Sequence, residues 1–101
     1  MTKIYVFDID GTICTNTNGD YEKATPFQEI IDKINKLYSN GNTIKMMTAR
    51  GSTTGIDWTN LTEKQLQDWG VNYHELIMNK KPHADVFVDD KAINVSSFRL
   101  L

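Results

Sequence analysis

The sequence predicts an α/β domain built on a parallel sheet, and three observations carry that reading. Short apolar runs at 3–9, 43–47, 76–78 and 86–89 have the length and composition of strands. Segments with apolar residues at helical spacing lie between the first three of these runs. Strands separated by helices imply parallel pairing through right-handed crossovers, and 101 residues make one domain with a single core.

Each element has a local reason. The first strand holds Ile4-Tyr5-Val6-Phe7, and the polar stretch from Thr12 to Thr25, rich in Thr, Asn and Gly, is too long for a plain connection. Thr25-Pro26-Phe27-Gln28 reads as a helix start, with Thr at the N-cap, Pro at the first helical position and a capping-box Gln. Phe27, Ile30, Ile31, Ile34, Leu37 and Tyr38 then recur at helical spacing, and Gly41 ends the helix. Thr43-Ile44-Lys45-Met46-Met47 is the second strand. Thr62-Glu63-Lys64-Gln65 starts a second helix by the same capping pattern, burying Leu61, Leu66 and Trp69 before Gly70. Residues 76–78 and 86–89 supply the third and fourth strands.

The chemistry lies where the strands end. Asp8 and Asp10 close the first apolar run in Phe7-Asp8-Ile9-Asp10-Gly11-Thr12, and side chains two apart on an extended segment point to the same side. Two like charges held that close repel, so one carboxyl takes up a proton or a cation binds. The second strand runs into Thr48-Ala49-Arg50-Gly51, Lys80 and Lys81 precede the fourth strand, and that strand ends in Asp89-Asp90. Carboxylate pairs, a hydroxyl and an ammonium at strand edges make a phosphate-handling set. Four carboxylates in one pocket call for a hard divalent cation such as Mg2+, while the hydroxyl, nearby backbone N–H groups and a lysine would hold phosphate oxygens.

In order, Asp-Ile-Asp-Gly-Thr, Thr-Ala-Arg, Lys-Pro and Asp-Asp closely resemble the four motifs of the haloacid dehalogenase superfamily of phosphohydrolases, over roughly residues 3–98. The resemblance implies a three-layer Rossmann-like parallel sheet with flanking helices and a β-hairpin flap over the site, in the stretch after Thr12. It implies Asp8 as nucleophile, Asp10 as general acid and base, Thr48 with the Ala49 backbone as phosphate binders, and Asp8, Asp10, Asp89 and Asp90 around Mg2+. Lys81 is preferred to Lys80 as the third-motif lysine, because Pro82 restricts Lys81 to extended conformations. The chain has no room for a cap domain, so a capless member with an open site is expected, one that a neighbouring subunit in a homo-oligomer could cover. The loop from 50 to 60 makes Arg50 and Trp58 candidate substrate contacts, with a surface salt bridge and helix packing as their structural alternatives. Thr-Ala-Arg-Gly, Asp57-Trp58, Trp69-Gly70-Val71 and Tyr73-His74 further resemble small phosphatases of bacterial capsule and lipopolysaccharide sugar synthesis, which points to a sugar phosphate.

Composition bounds the alternatives. A net charge of −2 with 40% hydrophobic and 24% charged residues fits an ordinary globular protein and gives no footprint for nucleic acid or anionic membrane. That disfavours a polynucleotide 3′-phosphatase within the enzyme class, where a protein phosphatase also remains. A signalling receiver domain fails on motif order, since its acceptor Asp would end a middle strand, and Thr48 stands there. An inactive binding protein of the same fold is disfavoured because every motif acid is present. Cys14, the single cysteine, excludes an internal disulfide and has no neighbouring base in sequence to activate it. His74 and His83 read as structural or exposed. No apolar run reaches membrane-spanning length, the first residues carry acids where a signal peptide needs an apolar core, and cytoplasm is the expected compartment.

Overall fold

A computed structural model describes residues 2–79 and 86–88; Lys80, Lys81, His83, Asp89 and Asp90 lie outside the described residues. Four strands, β1 (Ile4–Asp8), β2 (Thr43–Thr48), β3 (Glu75–Met78) and β4 (Val86–Val88), form one sheet in the order β3-β2-β1-β4. All three pairings are parallel, with Phe7 opposite Met46 on one side and Val88 on the other. Alternation sets the buried face. On β2, Ile44, Met46 and Thr48 are buried while Thr43, Lys45 and Met47 are half-buried.

Helix α1 (Gln28–Ser39) buries Ile30, Ile31 and Ile34, and helix α2 (Thr59–Asp68) buries Leu66, all in one cluster with Phe7, Ile44, Met46 and Val88. Each full burial of such a side chain contributes roughly 1.5–3 kcal/mol. Both helices feed the same core for a topological reason. The crossovers β1-α1-β2 and β2-α2-β3 step in the same direction, and right-handed crossovers stepping one way put their helices on one face. The expected three layers are therefore two among the described residues, a sheet and one helical layer.

Both helix starts differ from the capping patterns in the sequence. Thr25 is engaged in antiparallel pairing: the Thr15 N–H donates to the Thr25 carbonyl at 2.9 Å, the Thr25 N–H donates to the Thr15 hydroxyl at 3.0 Å, and Cys14 bridges Pro26. That pairing closes the excursion after Thr12, whose far part holds a 3-10 turn at Tyr21–Lys23, and α1 begins only at Gln28. Helix α2 begins three residues before Thr62, where the Asp57 carboxylate accepts the Thr59 N–H at 2.9 Å. Hydrogen bonds from Thr59 hold the Asp57 carboxyl below its ordinary range. Thr62 and Gln65 are buried instead of capping.

The connection from β2 to α2 turns on Gly51. Its φ is +85°, and a Cβ there would collide with the Ile56 carbonyl, whereas Gly55, at φ +77°, has open space around it. Gly55→Ala is expected to cost only the left-handed strain, about 1 kcal/mol. Gly51→Ala adds a backbone clash and is expected to cost roughly 3–5 kcal/mol. Urea unfolding of both variants checks this, and equal midpoints would contradict it.

Candidate functional site

All strands run the same way, so Asp8, Thr48 and Met78, the last residues of β1, β2 and β3, share one sheet edge. From β1 the chain steps to β2 and β3 on one side, then places β4 on the other side of β1. In open α/β sheets ligands bind beyond the carboxyl ends of the strands at such a reversal. A cavity of about 230 Å³ opens at this edge, lined by Asp8, Met47, Thr48, Ala49, Ser52 and Asn79.

The structure thus brings together Asp8, Thr48 and Ala49, as the motifs suggested, and adds two residues. Asn79, at φ +64°, leaves β3 in a left-handed turn and donates its N–H to the Thr48 carbonyl at 2.8 Å. Asn tolerates that conformation better than most side chains, which was the one available sign in the sequence. Ser52 is held by its N–H on the Ala49 carbonyl at 3.0 Å. Thr48 is buried, and its hydroxyl accepts the Arg50 N–H at 3.1 Å, which leaves the hydroxyl hydrogen to donate elsewhere.

Arg50 corrects the expectation most clearly. It is 1% exposed, so its ion pair is a buried one and not a surface salt bridge. Its guanidinium grips the Asp10 carboxylate by two bonds, Nε to Oδ2 at 3.0 Å and Nη2 to Oδ1 at 2.9 Å. Nη1 donates to the Thr62 hydroxyl at 3.1 Å and to Gln65 Oε1 at 2.6 Å, and the group stacks over the Tyr21 ring at 4.6 Å. Four donors and one face of the planar group are therefore occupied. Gln65 also ties the excursion to α2, its Nε2 donating to the Tyr21 carbonyl at 2.6 Å. Thr62 and Gln65, one turn apart on α2, looked like a cap in the sequence and serve as the seat of this arginine.

The clamp bears on the metal expectation. Oxygen donors in this chain suit Mg2+ chemically, and Asp8 stands at the cavity. Both oxygens of Asp10 accept from Arg50, so its carboxylate already has an internal cation as partner. Among the described residues no three His, Cys, Asp or Glu side chains group closely enough to hold a metal ion. Asp89 and Asp90, the other two acids of the expected set, lie outside the described residues.

Trp58 is half-buried and meets Tyr21 edge to face, with ring centroids 5.1 Å apart. The two rings help line a second cavity of about 190 Å³ with Ile56 and the chain from Gly51 to Thr54. It shares Ala49 and Ser52 with the first cavity, so the two adjoin. No acidic or basic side chain lines it among the described residues. His74 lies away from both cavities, its Nδ1 accepting the Ile44 N–H at 3.0 Å and its ring stacked on Tyr38, which is the structural role expected.

No family model and no curated protein matches the chain. Among solved structures, a structural-genomics target from Vibrio cholerae superposes with a TM-score of 0.77 at 24% identity, covering 99% of this chain and 89% of that one. The two share their fold. No helix among the described residues is long and apolar enough to cross a membrane.

Cys14 lies beside the clamp, with the Ile9 carbonyl at 3.6 Å and Asp10 Oδ1 at 3.7 Å as the two acceptors within reach of its single S–H. Burial first, and the Asp10 charge second, push its pKa from 9.0 up to about 12. A thiol so placed is a poor nucleophile near neutral pH. The folded value lies above the unfolded one, so the contribution to stability is complete below pH 9.0 and is lost as pH rises toward about 12. Wild-type stability in urea is therefore expected to fall more steeply over that window than that of Cys14→Ala; parallel profiles would contradict the placement.

Proposed function

We propose that this chain is a capless phosphomonoester hydrolase of the haloacid dehalogenase type, acting on a small phosphorylated metabolite through an aspartyl-phosphate intermediate. The observation that carries the reading is one cavity at the carboxyl edge of a parallel sheet that both Asp8 and Thr48 line, with Asp10 fixed two residues further on. A carboxylate nucleophile, a hydroxyl that can donate to phosphate, and a second carboxylate for proton transfer are the parts this reaction needs.

In this reading the Asp8 carboxylate attacks phosphorus in line with the leaving oxygen and forms an acyl phosphate, while the bond from phosphorus to the leaving oxygen breaks and that oxygen takes a proton from the protonated Asp10 carboxyl and departs as an alcohol. Thr48, the backbone about Ala49 and Lys81 hold the equatorial oxygens as charge builds on them. Water then attacks the aspartyl phosphate, the bond from phosphorus to the Asp8 oxygen breaks, and Asp10 takes the proton from that water. Mg2+ held by Asp8, Asp89 and Asp90 would supply neutralisation of the phosphoryl charge. Asp10 serves as the proton carrier.

The second cavity supports a sugar phosphate as substrate. It adjoins the first, it is lined by two aromatic rings and by Ser and Thr side chains, and at about 190 Å³ it suits a single ring-sized group. The absence of acidic or basic lining among the described residues favours a neutral leaving group over one bearing a second acid.

The test is a phosphatase screen over sugar phosphates, nucleotides and p-nitrophenyl phosphate with Mg2+ and with excess chelator. Turnover is expected with metal, loss of nearly all of it in chelator, and none in Asp8→Asn, because an amide cannot form the acyl phosphate. Full activity of metal-free protein, or of Asp8→Asn, would overturn the assignment.

A further inference from the structure

The Arg50 clamp has more contacts than charge compensation needs. Asp10 alone could be neutralised by one flexible lysine at the surface. Instead a planar fork fixes both carboxylate oxygens, and the fork is itself seated on α2 by Thr62 and Gln65 and covered by the Tyr21 ring. A bidentate grip sets the plane of the carboxylate as well as its place. Oδ1 also has the Cys14 thiol beside it, whereas Oδ2 accepts from Arg50 Nε and keeps a second lone pair, and the 19% exposure of this side chain leaves water access to it.

We propose that Arg50 is a positioning residue for the second half of the reaction, holding the Asp10 carboxylate in the orientation from which it takes a proton from the water that cleaves the aspartyl phosphate. The inference rests on the function proposed above. In the step concerned, the water oxygen bonds to phosphorus, the bond from phosphorus to the Asp8 oxygen breaks with its electron pair returning to Asp8, and the water proton passes to an Asp10 oxygen. Arg50 touches none of these reacting atoms. It acts through Asp10 alone, so its loss falls on whichever step depends on Asp10.

p-Nitrophenyl phosphate separates the two half-reactions, since so good a leaving group needs little proton donation in the first. Arg50→Lys keeps the charge and removes the fork. On this substrate with saturating Mg2+, the variant is expected to show an initial burst of about one p-nitrophenolate per active site. Steady-state kcat then falls about ten- to hundredfold, KM falls with it, and phospho-enzyme accumulates in acid-quenched samples. A merely structural role slows both steps and gives no burst. A kcat loss without burst or accumulated phospho-enzyme would overturn the proposal, as would unchanged kinetics. Gln65→Leu, which removes one seat of the guanidinium and leaves Asp10 and Arg50 in place, is expected to give the same burst with a smaller loss. It decides the question if Arg50→Lys does not fold. Wild-type protein without phosphatase activity would instead strike at the function itself, whereas an active wild type with burst-free variants strikes only at the role of Arg50.

Discussion

A guanidinium taken out of water is costly unless it is paired, and each of the three side-chain nitrogens of Arg50 has a hydrogen-bond partner. The requirement organises the region. Asp10 follows β1, Tyr21 belongs to the excursion after Thr12, Thr62 and Gln65 sit on α2, and Arg50 itself follows β2. Four segments meet on one buried cation, and removing a partner of such a pair typically costs about 3–5 kcal/mol. The constraint also explains the neighbouring loop: after a buried arginine the chain must turn back to the surface at once, and Gly51 makes that turn in a conformation a side chain would block.

The same pair resolves the repulsion posed by Asp8 and Asp10. The sequence suggested that two carboxylates so close need a bound cation or a proton, and the fold supplies a cation of its own to one of them. Two acids from one strand end then differ in surroundings. Asp8 lines the cavity, while Asp10 is oriented from behind by Arg50. Different surroundings are how one chemical group can be given two roles, which in the proposed function are nucleophile and proton carrier.

Much of the fold was legible because its signals are local. Apolar runs of strand length, helical spacing from Phe27 to Leu37 and the alternation of strands with helices led directly to a parallel α/β sheet. Asp8, Thr48 and Ala49 at one edge followed from motif position, since parallel strands must end together. What the sequence hid was long-range. Thr62 and Gln65 match a capping box, and only the fold shows that an arginine twelve to fifteen residues earlier claims them. Arg50 in a polar loop reads as exposed because arginine is rarely buried, and the rule fails where a carboxylate and two polar side chains converge on it. Thr25 was drawn from its expected cap into pairing with Thr15, a contact that local propensity does not encode.

The proposed reaction requires that Asp8 become phosphorylated. Borohydride reduces an acyl phosphate to the alcohol, so protein quenched during turnover, reduced and digested should yield a peptide with homoserine at position 8. That product is expected in wild type, more of it in Arg50→Lys, and none in Asp8→Asn. Homoserine at position 10, or turnover with no reducible acyl phosphate anywhere in the chain, would contradict it.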